Sequence, residues 1–337
     1  MTDITPALEI PAHRSRYLAR HPLATYVIRR TLTGLLILFV VSVIVFAATQ
    51  VLPGNAAVQI LGRNATPQSV TQLTRQLGLD RSAVAQYTSW LSGLLHGDLG
   101  HSLAAHEPVA QFIGDRVRNT LVLAGVAVIL MIPLGLALGV VAGVRADRAA
   151  DHAITGLTLG AIAMPEFVSG ALLALIFAVW LKVLPPVSLV APGSDPLAHP
   201  ALLVLPVITL MLSGTAYIVR MMRAGVIEAM SSDYVEAAAL NGIGRRRIIW
   251  KHALRNALAP TVQVLALTVQ WLVGGVVVTE TIFSYPGLGQ GLVQAVQLRD
   301  LPTVQAVAML LAALYITINI IADVAVVLLI PKLRTAQ

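Results

Sequence analysis

Residues 231–260 read SSDYVEAAALNGIGRRRIIWKHALRNALAP, a polar interruption in an otherwise apolar chain. Ser231 or Ser232 is placed to cap a helix. Asp233 and Glu236 fall in its first turns, where acidic side chains favour the helix dipole. Ala237, Ala238 and Ala239 combine high helix propensity with a slim surface. Asn241-Gly242-Ile243-Gly244 is a stop signal. Arg245, Arg246, Arg247, Lys251 and Arg255 then make a basic second helix, and Pro260 opens the next apolar run. The stretch predicts a compact knob, two short helices around a glycine break, shown by a membrane protein to a partner.

The membrane setting follows from composition. Of 337 residues, 57% are hydrophobic and 12% charged, against about 25% charged in soluble domains. The net charge is +7, but the basic residues cluster at the ends of apolar runs, as membrane topology requires and nucleic-acid binding does not. With no cysteine, disulfides, thiolate metal sites and cysteine nucleophiles are excluded.

Working outward from the knob, six apolar runs are long enough to span a bilayer, for which about 20 residues suffice. They cover about 31–51, 119–144, 154–181, 201–218, 261–279 and 304–329. The first is too long for a signal-peptide core and reads as an uncleaved span. The third is interrupted at Met164-Pro165-Glu166. Gly135, Gly139 and Gly143 recur every fourth residue in the second, the pattern that lets helices approach closely in lipid. Residues 56–118 form an external subregion lying on the membrane, and 220–258 form the loop that carries the knob. An even number of spans puts both termini on one side. That side carries sixteen of the 23 Lys and Arg residues, so the termini, segment 1–30 and the knob are expected in the cytoplasm.

Polar residues inside the spans are the candidate path. Glu166, on a straight helix, would lie roughly 18 Å deep at 1.5 Å per residue. An intramembrane carboxylate is costly and marks function by default, either lining a passage or pairing with a neighbouring helix. Gln263 and Gln270 are seven apart on one face of span five and serve as path lining or as glue between helices. Asp323, four residues after Asn319, is read as pairing near the cytoplasmic end or as part of the path. Glu280 and the turn Phe283–Gly289 are placed at the outer mouth, for gating or docking. His96, His101 and His106 share no helix face and define no metal site. Asn64-Ala65-Thr66 is a chance sequon. No G-x-x-x-x-G-K-[ST], H-E-x-x-H or G-x-S-x-G occurs, so no catalytic residue, metal site or nucleotide cofactor is assigned to this chain.

Glu236-Ala237-Ala238, Gly242 four residues after Ala238, and the basic helix leading to Pro260 resemble the EAA loop of ABC importer permeases. The likeness extends through Tyr26–Arg30, Leu52-Pro53-Gly54, Gly97-Asp98-Leu99-Gly100, Arg118-Asn119-Thr120-Leu121 and His252–Ala257. It closes with Glu280-Thr281-Ile282-Phe283-Ser284-Tyr285-Pro286-Gly287-Leu288-Gly289 and Pro331-Lys332-Leu333-Arg334. Together, in this order, they are similar to the B-type permease of the dipeptide, oligopeptide and nickel subgroup. Arg245 departs from the acidic residue frequent there, and Ile330-Pro331 from Asp-Pro.

The resemblance implies an all-α membrane protein of the type I ABC importer permease fold. The transmembrane domain occupies 31–337, and the coupling helix carries Glu236, Ala237, Ala238, Leu240 and Gly242. It implies a second, homologous permease as heterodimer partner, two ATPase subunits that hold ATP and Mg, and an extracytoplasmic binding protein. Peptides are the implied cargo. Nickel or a metal chelate, glutathione or another small solute are alternatives within the class. A proton-coupled secondary transporter and a membrane enzyme are alternatives outside it.

Overall fold

The computed structural model describes residues 22–51, 58, 61, 65–76 and 80–329. The quoted motifs at Leu52-Pro53-Gly54 and Pro331–Arg334 lie outside them, as does the segment before residue 22. The described residues form helices joined by turns and contain no strand, only one isolated antiparallel bridge between His101 and Pro108.

In chain order the helices are α1 (Pro22–Val51), α2 (Pro67–Gln76), α3 (Ala83–Leu95), α4 (Val109–Val144), α5 (Ala149–Ala163) and α6 (Glu166–Leu173). A π-helical segment, Ala174–Trp180, continues α6. Then come α7 (Pro200–Met230), α8 (Asp233–Leu240), α9 (Arg245–Ile248), α10 (Leu254–Ile282), α11 (Leu288–Gln297) and α12 (Leu301–Leu329). Five stretches are long and apolar enough to span: Ala24–Gln50, Val109–Val144, Pro200–Met230, Arg245–Ile282 and Leu301–Leu329. The sixth is the pair α5 and α6, bent by 110° at the break.

The predicted spans are therefore present, but most are longer than hydropathy suggested, the first beginning at Pro22 rather than near Thr31. The second begins at Val109 rather than near Asn119, and the fourth runs on to Met230. The fifth begins at Arg245, with Pro260 inside a continuous helix. Hydropathy ends where lipid ends; helical hydrogen bonding does not, so polar turns extend the helices beyond the apolar slab. The basic helix of the knob is thus the first turns of span five.

The bundle is built on close approach between α4 and α7. A Cβ on Gly135 would lie 2.8 Å from Ile218, one on Gly139 2.5 Å from Met222, and one on Gly143 2.7 Å from Val226. Three glycines four apart meet three bulky residues four apart, so the helices interlock over two turns. Gly225 meets α10 in the same way, 3.1 Å from the Ala257 backbone. Around this spine, Leu123, Met131, Ile218, Leu272 and Tyr285 form the main buried cluster. On its flank α1 pairs with α12. Arg30 binds Asp323 at 2.5 Å near one end and Gln305 Nε2 donates to Thr49 Oγ1 at 2.7 Å near the other. The outward side of α1 bears Leu32, Leu35, Leu36, Phe39, Val43 and Ile44, all exposed, as a lipid face should.

Helix α3 lies against the later half of α1 rather than standing apart from the bundle. Tyr87 and Trp90 bracket Phe46 with centroids 5.4 and 5.8 Å away, and Ser42 and Tyr87 share a 2.8 Å hydrogen bond.

Candidate functional site

The knob is α8, its C-terminal turn and α9. Ser232 sits at the N-cap, but neither serine caps through its side chain. Ser232 Oγ donates back to the Ala229 carbonyl and Ser231 Oγ to the Glu228 carbonyl. The expected capping is thus replaced by closure of the end of α7. The predicted stop is fully formed. Gly242 takes φ +76°, its N–H donates to Ala239 O, and Ile243 N–H donates to Ala238 O. This double closure needs a residue in the left-handed region. A Cβ on Gly242 would meet nothing within 4 Å, so glycine serves conformation there and not space.

Below that turn Val235, Ala238 and Ile248 are buried together, flanked by Met230 and Ile243. The knob therefore has its own small core, which seats it on the end of α7. The five residues expected to couple the knob divide accordingly. Glu236, Ala237 and Leu240 face outward, Leu240 at 83% exposure. Ala238 faces inward at 7%, so its slimness lets α8 lie close to its own support. Gly242 shapes the turn.

Inside the bundle the structure separates two glutamates that the sequence grouped as path residues. Glu280 is wholly buried. Its Oε1 accepts from Thr120 Oγ1 at 2.6 Å, and its Oε2 from the Gly289 and Gln290 backbone N–H groups at 2.7 and 3.2 Å. It caps the first turn of α11 from within, where a carboxylate satisfies unpaired amides. Its assignment to the path is thus corrected: a solvent-excluded carboxylate with three donors holds structure together.

The turn after it is equally buried. Phe283, Tyr285 and Leu288 are at 0% exposure. Tyr285 Oη donates to Asn119 O at 3.0 Å, Asn119 Nδ2 to Pro286 O at 2.9 Å, and Ser188 N–H to Phe283 O at 2.7 Å. Burial, with the Glu280 carboxylate nearby, pushes the Tyr285 phenol above its usual range. Arg116, stacked over Phe112 at 4.2 Å, donates to Gly287 O and to the side chains of Gln290 and Gln294. The motif is a hub joining α4, α10, α11 and the 181–199 loop.

Glu166 is different. It opens α6 directly after the 110° bend, so the straight-helix depth of 18 Å does not apply. Its carboxylate is half-buried, lies over Gly275, and accepts one hydrogen bond, from Thr279 Oγ1 at 2.6 Å. It takes part in none of the ion pairs among the described residues. A small cavity beside it is lined by Met131, Leu210, Gly214, Trp271 and Gly275, and Trp271 and Phe167 present exposed rings nearby in the chain.

The remaining path candidates do not converge on Glu166. Gln270 is about 140° around the helix from Gly275 at 100° per residue; Gln263 shares its face and is exposed. Asp323 is paired with Arg30 on α1, which favours the pairing role over the path.

Similarity to known proteins converges on one family. Residues 135–335 match the model described as binding-protein-dependent transport system inner membrane component, and residues 23–124 match the N-terminal membrane component of such systems. The chain belongs to this family of inner-membrane transport components. A Brucella abortus protein named as a peptide transport system permease is 35% identical over 308 residues, 91% of this chain and 98% of the relative. A Sinorhizobium fredii protein named as a peptide ABC transporter permease is 32% identical over 93% of this chain and all of its own length. The glutathione transport system permease protein GsiC of Escherichia coli (strain K12) is 35% identical over 92% of this chain and 98% of its own.

Two groups in this transport component escaped the sequence reading. Asp151, 1% exposed, receives Arg223 Nε at 2.5 Å and Nη2 at 2.7 Å, with the Asp147 N–H and Thr155 Oγ1 completing its shell. Asp300, 3% exposed, binds Ser102, the Leu103 N–H and Thr303, and fastens the 97–108 loop to α12. Asp151 shares its short charged turn with Arg145, Asp147 and Arg148, and nothing local marked it; its partner is 72 positions away.

Proposed function

We propose that this chain forms one half of the translocation path of an ATP-driven importer, and that the knob is its docking element for a cytoplasmic ATPase. The observation that carries the reading is the knob's geometry. An eight-residue helix stands on its own hydrophobic seat, is stopped by a left-handed glycine, and turns Glu236, Ala237 and Leu240 outward. In this reading the exposed Leu240 is part of the surface that the ATPase recognises. The end of the bundle with the knob also carries Arg30, Arg145, Arg148, Arg223 and Arg245–Arg247, which supports a cytoplasmic placement of that end and of both termini.

In this reading a homologous permease completes the path, two ATPase subunits bind ATP and Mg, and an extracytoplasmic binding protein delivers cargo. ATP binding draws the ATPases together, the knob moves with the cleft that holds it, and the helices rock between inward-open and outward-open states. Peptides are the cargo class, supported by relatives named for peptide transport; glutathione, for which other relatives are named, is itself a tripeptide. Glu166 lines the path, because of the intramembrane carboxylates described above it is the one that is neither enclosed like Glu280 nor held in an ion pair like Asp323.

The test is co-purification. A tag on this chain should bring down ATPase subunits from solubilised membranes, and Leu240→Asp should abolish that association with membrane insertion intact. Retention of the ATPases by Leu240→Asp would remove the knob from the docking role.

A further inference from the structure

The ion pair between Asp151 and Arg223 sits between the two elements that the transport reading must connect. Of the fifteen residues of α5, only Asp151 and Thr158 are buried. Eight of the others, including Leu157 at 77% exposure, are exposed, and the remaining five are partly covered. Its far end runs into the Met164-Pro165 break, whose two residues are exposed. Beyond the break α6 is anchored differently: Ser169 and Gly170 are buried, and a Cβ on Gly170 would sit 3.2 Å from Thr209 on α7. Thus α5 is a limb with an open outer face, tied to α7 by an ion pair near one end, with a bend at the other and Glu166 immediately past the bend.

Arg223 lies seven residues before the end of α7 at Met230, about two helical turns away. Met230 packs against the seat of the knob, and Arg245 reaches from the knob to the carbonyl of Val144, the last residue of α4 before the turn into α5, at 3.5 Å. The two-pronged Arg223 contact resists both sliding and rotation, which a single hydrogen bond does not.

We propose that Asp151 and Arg223 are positioning residues that transmit displacement of the knob to the broken third span, swinging α5 about Met164-Pro165 and so moving Glu166. This rests on the knob being the ATPase-docking element. When the end of α7 moves, the fork carries Asp151 with it. The second limb stays held at Ser169 and Gly170, and the bend takes up the difference.

The absence of cysteine allows a clean test in the whole importer, purified through this chain and reconstituted in vesicles. Phe167→Cys, exposed and next to Glu166, is labelled with a maleimide with and without ATP and Mg. ATP should change its labelling rate several-fold in the otherwise unaltered chain. Adding Asp151→Asn should abolish that change per inserted molecule while ATP hydrolysis continues. Arg223→Lys, which keeps the charge but loses the fork, should leave an intermediate response; it also serves if Asp151→Asn fails to insert. A merely structural role would lower yield or thermal stability and leave the ATP response of surviving molecules intact, and that result overturns the proposal. If Phe167→Cys alone shows no ATP response and no ATPase co-purifies, the transport reading itself has failed. If ATPases bind and hydrolyse ATP but residue 167 does not respond, the linkage is wrong and the docking reading stands.

Discussion

Thr279 and Glu280 are neighbours on α10, yet Glu280 and the glutamate that Thr279 serves are in opposite states. Glu280 is enclosed, with Thr120, Gly289 and Gln290 donating to it. Glu166, one helix away, has Thr279 as its donor and a half-exposed carboxylate. Both residues are acidic, both lie in spanning segments, and sequence alone grouped them. What separates them is the number of donors the surroundings supply. A carboxylate whose shell is filled fixes a structure; one whose shell is part-empty has bonding capacity left for a ligand.

Removing the filled carboxylate should have the largest effect. Glu280→Ala leaves two backbone amides and a threonine hydroxyl unpaired in a dry site and should destabilise the fold by on the order of 3 kcal/mol or more. Thermal unfolding in detergent should register the loss as a collapse in folded yield. Near-normal stability would show that water or another group can replace the carboxylate, and the contrast with Glu166 would then disappear.

A smaller loss is expected at Gly289. A Cβ there would lie 2.5 Å from the Val277 Cα, which is backbone and cannot turn aside. Gly289→Ala should cost about 1–3 kcal/mol by overpacking, measured in the same unfolding experiment.

Glu166→Gln should be the mildest for stability, within about 1 kcal/mol, because the amide oxygen still accepts from Thr279. Its effect should appear in function: uptake of peptides bearing a free ammonium group should fall while ATP hydrolysis and folded yield persist. If Glu166→Gln instead unfolds the protein as Glu280→Ala does, the two glutamates are alike and neither marks the path.

How much of this was legible beforehand depends on the range of the interaction. The six spans, the glycine row of α4 and the stop at Gly242 were readable because each is written in a local pattern: about twenty apolar residues, a period of four, a turn-forming glycine. Pro165 announced the break in span three but not its 110° angle, which is set by what α6 leans on. The states of the carboxylates were not readable at all. Thr120 and Glu280 are 160 residues apart and Asp151 and Arg223 are 72 apart, and nothing local distinguishes a partnered acid from an unpartnered one. Ala238 shows the same limit on a small scale. Its residue type suited an outward contact, and only the position of Ile248 and Val235 beneath α8 reveals that it faces inward.

The knob's role is tested most directly by measuring ATP hydrolysis and cargo uptake side by side in vesicles containing the complete importer with Gly242→Val in this chain. A β-branched residue is strained at φ +76°, so the turn that aims α8 must change while the spans remain. The expected result is normal insertion with hydrolysis no longer matched by uptake. Uptake per ATP equal to that of the unaltered importer would contradict the knob as the point where the motor takes hold.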